Sequence, residues 1–385
     1  MFKNTLEPEK YDKQTPSKKL LSFVIDLLIL FVLNILFLYV ATGPIIQNSS
    51  SFKNSISKID ESVAEIYNIQ SEAKLSIKKS DNEILSDNEL IIEYLTAHVY
   101  LSYYYDEDTF KQNNITFDNT DKKATYDNDL LAYYYVNYKT EKEINISSYG
   151  EETPKLYFIN QIIVAGTAKD LYVLHEQELP SLKAEVAVDL YKYLKNEVKS
   201  SSYYETFSNF FVAANHTALL ELHNYQPFEQ QYQAYYSAYT SITNLENLAG
   251  ILTFVILFLL LFVLPPIFFG DGVTLGRLIT KTRVIYNKNV ILGHLISDFS
   301  YLLITFIVGG VSIIIGFGFA VFSMPIDGWL YMSILTLISF IVIVVDFFFM
   351  TFSRSKNTLI ETISMTSLVD VNKKHYEEAT ENETH

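Results

Sequence analysis

Apolar residues are concentrated in four long runs, and a polar, tyrosine-rich stretch lies between the first run and the second. A helix needs about 20 residues to cross a hydrocarbon core roughly 30 Å thick, and each run is long enough. The pattern therefore predicts four transmembrane helices, at 20–42, 248–269, 291–322 and 329–352. The fold class that follows is an all-α integral membrane protein.

The first apolar run follows Lys18 and Lys19 and is interrupted by Asp26 and Asn34. A secretory signal peptide has a similar basic start, but its apolar core spans only about 7–15 residues and ends at a small-residue cleavage site. This run is longer, and Val40-Ala41-Thr42 is a poor cleavage site. We therefore predict that the segment is retained as a membrane anchor.

Lysine and arginine residues near the helix ends predict the orientation, because cytoplasmic loops carry an excess of both. The tail 1–19 contains five of these residues, and the loop 270–290 and the tail 353–385 contain four each, whereas the turn 323–328 contains none. Four spans place the three segments that carry Lys and Arg on one side. We therefore predict a multi-pass protein of a bacterial plasma membrane, with both termini in the cytoplasm and the segment 43–247 outside.

The outward-facing segment begins and ends with apolar and aromatic positions at alternating spacings of three and four residues, which is a heptad repeat. We predict a mainly α-helical extracytoplasmic domain with a coiled-coil-like stalk, in which the two segments pack antiparallel. Two independent amphipathic helices on one globular core are the alternative. The repeat positions are Phe52, Ile56, Ile59, Val63, Ile66, Gln70, Ala73 and Ile77, followed by Phe228, Tyr232, Tyr235, Tyr239, Ile242, Glu246 and Ala249.

The middle of this domain is less regular. The segment 87–105 is predicted to be helical, and Thr153-Pro154 has the residue types that begin a helix. The tyrosine clusters at 103–105 and 133–135 and the run 156–164 leave strands open as an alternative. The many tyrosines fit core positions with one polar end, which we favour, or a face that stacks on carbohydrate.

Composition excludes several classes of function. The chain has 385 residues, a formal net charge of −15, no cysteine and 7 histidines. The acidic balance disfavours nucleic-acid binding, and the histidines do not stand at zinc-ligand spacing. The sequence contains no hydrolase, kinase or phosphate-binding glycine motif. We therefore predict that the protein is not an enzyme and has no metal site or cofactor.

The loop 270–290 carries the most unusual pattern, Asp271-Gly-Val-Thr-Leu-Gly-Arg277. Its glycines, Gly272 and Gly276, suit tight turns. The residues that follow predict a short interfacial helix, with an apolar face toward the bilayer and basic side chains near lipid phosphates. The apolar positions are Leu275, Leu278, Ile279 and Thr282, and the basic ones are Arg277, Lys281 and Arg283.

This loop and the segment after the fourth run resemble motifs of the RDD family of bacterial membrane proteins. The resemblance to the family extends over 18–41 and 248–369. Members have an Arg and then an Asp in the first helix, a D-G-x-T-L-G-K/R loop that leads to R-V, and a closing L-H-D motif. Here lysine replaces the first Arg, glutamate replaces the closing Asp, and 43–247 is a large insertion. Lys18 or Lys19 and Glu361 stand at the replaced positions. The positions that match the family pattern are Asp26, Asp271, Gly272, Thr274, Gly276, Arg277, Arg283 and Thr366.

The resemblance implies transport, and cation/proton exchange has been proposed for some family members. Carboxylates within apolar spans are costly and are therefore candidates for an ion or proton pathway. These candidates are Asp26, Asp298 and Asp346. The alternative is structural, namely pairing with Lys18 or Lys19 or a hydrogen bond between helices.

Two functions follow from these patterns. The first is transport of a small ion or solute across the lipid bilayer, in which a homo-oligomer would enlarge the small pathway of four helices. The alternative is a non-transporting sensor, receptor or envelope-interaction protein, in which the extracytoplasmic domain binds an envelope partner. The intramembrane carboxylates favour the first function, and the size of the external domain favours the second.

Overall fold

The computed structural model describes residues 11–80, 83–117, 124–176, 178–286, 344–345, 348–352 and 357–374. The described chain is mostly helical, as predicted. Two helical stretches, 16–47 and 226–269, are long and apolar enough to cross a membrane by length and composition. They contain the first and second predicted spans. The third predicted span and most of the fourth lie outside the described residues.

The helices and strands are numbered here in chain order. The helices are α1 Pro16–Phe37, α2 Gly43–Gln47, α3 Ser50–Glu72, α4 Asp87–Tyr105, α5 Glu107–Gln112, α6 Leu130–Ala132, α7 Lys139–Glu141, α8 Pro154–Tyr157, α9 Ala184–Leu194, α10 Ser202–Glu221, α11 Gln226–Phe258, α12 Leu264–Phe269, α13 Leu275–Ile279 and α14 Leu359–Ser364. The strands are β1 Tyr11–Lys13, β2 Lys78–Ser80, β3 Glu83–Ile84, β4 Tyr172–Val173, β5 Ser181–Leu182, β6 Thr282–Tyr286 and β7 Thr366–Lys374. π-Helical segments occupy Leu38–Thr42, Tyr133–Tyr138, Phe158–Val164 and Leu259–Val263.

The chain divides into two compact units. The first unit comprises 1–53 and 240–385, and the second comprises 54–239. The second unit lies within the segment 43–247 that the sequence predicts as one external domain.

In the first unit, both membrane-type helices contain a π-helical turn. One turn joins α1 to α2, and the other joins α11 to α12, where Pro265 and Pro266 occupy the first helical positions. Proline has no backbone N–H and cannot continue the α-helical hydrogen bonds, so a wider turn before it accommodates the break. Between the helices lies an apolar cluster of Leu30, Phe254, Leu257, Phe258 and Phe262.

The first unit also contains a three-stranded antiparallel sheet in the order β1-β7-β6, which the sequence analysis did not predict. In the β6–β7 pair, Arg283 lies opposite Val369 and Tyr286 lies opposite Thr366. Val284 and Val369 are buried. The sheet therefore joins the chain before α1, the chain after α13 and the chain after α14.

In the second unit, α4 has the predicted bounds and begins with a capping box. The backbone N–H of Ser86 donates to Glu89 Oε2 at 2.8 Å, and the backbone N–H of Leu156 donates to Thr153 Oγ1 at 3.4 Å where α8 begins. The clusters 103–105 and 133–135 and the run 156–164 are helical, so the strand alternative is wrong. Local capping signals located these helices correctly.

Tyrosine side chains occupy the core of the second unit, which is the interpretation we favoured. Tyr94, Tyr134 and Tyr135 are fully buried, and the Tyr134 hydroxyl donates to Glu221 at 3.2 Å. Burial raises the pKa of Tyr149 to about 12, and its hydroxyl donates to the Tyr135 carbonyl oxygen. At Tyr134 and Tyr149, the ring thus buries apolar surface while the hydroxyl donates to a polar partner.

The predicted stalk is not confirmed. Helix α3 ends at Glu72, before the last two repeat positions. Ile56, Tyr232 and Tyr239 are 40%, 40% and 48% exposed, respectively, although the repeat predicts that they pack in a seam. The repeat thus identified two long helices but not a continuous interface between them.

Candidate functional site

The buried face of α1 is polar, although the helix as a whole is strongly apolar. Lys19, Ser22, Asp26 and Asn34 are all buried, and Leu30 lies among them. The opposite face carries exposed large apolar side chains, including Leu28, Val32 and Leu36. This polarity is the reverse of a soluble amphipathic helix and is typical of a helix whose apolar face meets lipid.

Asp26 is bound by the loop that the family resemblance singled out. Its two carboxylate oxygens accept hydrogen bonds from Thr274 Oγ1 and from the backbone N–H of Gly276, each at 2.6 Å. Thr274 is also the N-cap of α13 and accepts from the N–H of Arg277 at 3.2 Å. The structural role that we considered for Asp26, a hydrogen bond between helices, is thus present, with donors from Thr274 and Gly276.

Gly276 has a different role from the one predicted. It lies inside α13 and does not adopt a positive φ, so it forms no tight turn. A Cβ atom there would lie 2.7 Å from Asp26 Cγ and would overlap the carbonyl oxygen of Ser22. Gly276 therefore allows α13 to approach α1 closely. Gly272, with φ at +58°, does form the predicted turn.

The two lysines at the start of α1 bind different carboxylates from the C-terminal part of the chain. Lys19 Nζ lies 2.6 Å from Glu361 Oε2, and both side chains are almost completely buried. Lys18 Nζ lies 2.5 Å from Asp370 Oδ2. Asp370, on β7, was not among the predicted site residues.

Glu361 holds several donors at once. It accepts from the backbone N–H groups of Thr358, at 2.6 Å, and Leu368, at 2.7 Å, besides binding Lys19. Thr358 and Glu361 form the capping box of α14. Thr366 is buried, and its hydroxyl lies 2.8 Å from that of Ser364. The closing motif thus anchors α14 and β7 to the start of α1.

Arg277 does not reach toward lipid phosphates as predicted. Its side chain is buried, and Nη1 donates to the Gly272 carbonyl oxygen at 2.6 Å. Thr282 is also buried, whereas Leu275, Leu278 and Ile279 are exposed, as an interfacial helix requires. The prediction agrees with the structure at Leu275, Leu278 and Ile279, and it is wrong at Arg277 and at Thr282, which lies in β6.

Asp271 and Arg283 lie near this turn. The N–H of Val284 donates to the Asp271 carbonyl oxygen at 2.9 Å, and Arg283 Nη1 donates to the Thr282 carbonyl oxygen at 3.0 Å. Burial lowers the pKa of Arg283, and the negative charge of Asp271 opposes that shift. Arg277 and Arg283 thus both donate hydrogen bonds to backbone carbonyl oxygens within the loop. Asp298 and Asp346 lie outside the described residues.

Sequence reasoning missed part of this site. Asn34 appeared only as an interruption of the apolar run, and Ser22 and Thr42 were not noticed. The Thr42 and Thr253 hydroxyls lie 2.5 Å apart, and Thr253 is buried. The available signal was the spacing of Ser22, Asp26, Asn34 and Thr42 at multiples of four residues.

A recess of about 120 Å³ lies beside the end of this face that contains Thr42. It is lined by Leu38, Tyr39, Gly43, Pro44, Ile46, Gln47, Glu246 and Ala249. Glu246 is the acidic side chain of the lining. The sequence analysis had assigned Glu246 only a stalk position.

No group of three or more His, Asp or Glu side chains that could hold a metal ion occurs in the described part of the chain. Comparisons with models of protein families, with curated proteins and with solved structures found no match for this chain. The resemblance to the RDD family therefore stays a prediction.

Proposed function

We propose that this protein is a multi-pass membrane transporter for a small monovalent cation or proton, and that cation/proton exchange is its mode. The observation that carries the proposal is the buried polar face of α1. Asp26 and Asn34 stand in a segment otherwise apolar enough to span a bilayer. Polar and ionisable side chains at such depth are costly and mark ion or proton pathways.

The contacts among the motif residues support the RDD resemblance. Asp26 contacts Thr274 and Gly276, and Lys19 contacts Glu361, although each pair is widely separated in sequence. Residues chosen for their family pattern alone thus meet at one end of α1. A common functional requirement is one reason for such a pattern.

Asp26 links the binding of a proton or cation to the position of the loop that contains Thr274 and Gly276. Its carboxylate accepts from Thr274 and Gly276, and a proton or cation that binds the same oxygens competes with those donors. Binding therefore weakens the contact between α1 and α13, and release restores it. This competition is the element through which two ions would be exchanged in turn.

The test is flux in proteoliposomes that contain the full chain. Wild-type protein should alkalinise the lumen when Na⁺, K⁺ or Li⁺ is added outside, because each entering cation is exchanged for a luminal proton. Asp26→Asn keeps the shape of the side chain but cannot change charge, so it should abolish this flux while the protein remains folded. Leu278→Ala is the control, because it shortens an exposed apolar side chain of α13 and leaves Asp26 and both of its donors in place, and it should retain flux.

Two results would contradict the proposal. One is wild-type protein that moves none of the three cations and no protons. The other is Asp26→Asn with wild-type flux, which would leave Asp26 a purely structural acceptor.

A groove in the second unit favours a second candidate function, ligand sensing. It measures about 280 Å³ and is lined mainly by apolar and aromatic side chains, among them Val63, Leu219 and Tyr235. His223 lies on it, and its Nδ1 is 2.6 Å from Glu229 Oε2. Small-ligand sites share this combination of an apolar lining with a few polar groups. Absence of flux in the wild type would make this groove the leading site.

A further inference from the structure

Asn34 is a buried amide that has no hydrogen-bond partner in the part of the chain that the structure describes. Its side chain is 0% exposed, and neither Oδ1 nor Nδ2 is hydrogen-bonded to any of the residues described. On the same face, Lys19 and Asp26 have partners, whereas the Ser22 hydroxyl, like Asn34, has none among the residues described. Burying an unsatisfied amide is unfavourable, so an unfilled donor and acceptor point to a ligand.

The ligand must satisfy a donor and an acceptor on the same amide. A bare metal ion would meet only the acceptor Oδ1, and a carboxylate would meet only the donor Nδ2. A water molecule meets both, and it keeps further hydrogen-bonding capacity for a second water or a cation. Water is therefore the ligand whose chemistry fits Asn34 best.

Asn34 lies between two different environments along α1. Asp26 and Thr42 each stand eight residues away, or about 12 Å along the helix axis. On the Asp26 side, the apolar cluster around Leu30, Phe254 and Phe258 intervenes. On the other side lie the Thr42–Thr253 hydroxyl pair and the recess that contains Glu246.

We propose that Asn34 forms a hydrated site inside the membrane, open toward the Glu246 recess and closed toward Asp26 by the Leu30 cluster. The site holds water and, with it, the small monovalent cation or proton that the protein moves. The identity of that cation or proton rests on the proposed function, whereas the presence of water does not. The Leu30 cluster is the dry barrier that an ion must cross between Asn34 and Asp26.

Cysteine accessibility tests the hydration directly, because the chain has no native cysteine. The probe is Ag⁺, a small monovalent cation that bonds to the sulfur of a cysteine and releases its proton. This reaction needs the thiolate, which forms in water and is suppressed in apolar surroundings. The variants are Asn34→Cys, Leu30→Cys and Leu36→Cys in the full chain, reconstituted in vesicles.

Asn34→Cys should react roughly tenfold or more faster than both controls. Leu30→Cys reports the apolar cluster on the same face, and Leu36→Cys reports the exposed apolar face. Asn34→Cys that reacts no faster than Leu30→Cys overturns the hydrated site. Fast reaction of Leu36→Cys means that this face of α1 meets water, and it overturns the membrane assignment together with this inference.

Flux separates this inference from the proposed function. Asn34→Ser keeps a small polar group that binds water and should retain flux, whereas Asn34→Leu should lose it by roughly tenfold or more. Wild-type flux that is unchanged in Asn34→Leu overturns the role of the site while the transport proposal stands. Absence of flux in the wild type overturns transport, and the Ag⁺ reaction still decides whether Asn34 is hydrated.

Discussion

The carboxylate of Asp26 lies 2.6 Å from the backbone nitrogen of Gly276, although 250 positions of sequence separate the two residues. A side chain at position 276 would overlap the backbone of α1 at Ser22. The absence of a Cβ atom thus permits the hydrogen bond that fixes the loop against the helix. The glycine and the aspartate are therefore coupled in the structure, and the first prediction follows from this contact.

Gly276→Ala should destabilise the protein by about 1–3 kcal/mol, the usual cost of inserting a methyl group into a packed contact. Alanine suits the helical backbone there, so the cost arises from the contact with Ser22 and Asp26. Gly250→Ala is the control, because a Cβ at that helical position meets nothing within 4 Å. It should be neutral or stabilise by about 0.4–1 kcal/mol. Thermal unfolding in detergent measures both, and equal melting temperatures would contradict the close approach.

Lys19→Met should cost about 3–5 kcal/mol, because it leaves the buried Glu361 without its cationic partner. Lys18→Met should cost less than Lys19→Met, because solvent screens the 42% exposed Lys18 side chain, although the Asp370 side chain is only 4% exposed. The melting temperatures of the two variants provide the comparison. A larger loss for Lys18→Met than for Lys19→Met would show that burial does not determine the strength of these pairs.

The double variant Lys19→Met/Glu361→Gln should be more stable than Lys19→Met alone, because it removes the uncompensated buried charge. Glutamine retains an oxygen that accepts from Thr358 and Leu368. The measurement is a double-mutant cycle on the same unfolding assay. Additive losses from the two substitutions would mean that the ion pair contributes no coupling.

The proposed orientation predicts which positions an impermeant maleimide reaches on intact cells. Ser147 and Thr362 are both exposed on the protein, so access depends on the side of the membrane. Ser147→Cys should react, and Thr362→Cys should react only after the cells are permeabilised. Labelling of Thr362→Cys on intact cells would contradict cytoplasmic placement of α14.

The ionisation of Glu89 should make the stability of the second unit depend on pH. Hydrogen bonds from Lys79 and from Ser86 lower its pKa to about 2. A lowered pKa in the folded state stabilises the fold above the ordinary value near 4.5, and this stabilisation is lost as the pH falls toward 2. Glu89→Gln should therefore melt below the wild type at pH 7, and the two should converge near pH 2. A difference that is constant from pH 6 to pH 2 would contradict this assignment.

The sequence predicted part of the candidate site well. The family pattern singled out Asp26, Thr274, Gly276, Lys19 and Glu361. Asp26 contacts Thr274 and Gly276, and Lys19 contacts Glu361. It assigned Arg277 to the lipid surface, because a basic residue in an amphipathic pattern usually faces out. The buried Gly272 carbonyl oxygen, which the sequence does not reveal, binds Arg277 instead.

Local features of this protein were determined by neighbouring residues. The apolar runs predicted four spans, two of which lie in described helices long and apolar enough to cross a membrane, and the capping residues Ser86 and Thr153 predicted where α4 and α8 begin. Only the tertiary structure decided that β1, β6 and β7 form one sheet, that Lys18 and Lys19 bind different carboxylates, and that Asn34 is buried without a partner among the described residues. The physical reason is range: helix periodicity and capping act over a few residues, whereas the partner of a buried polar group depends on which distant segments the whole fold brings together.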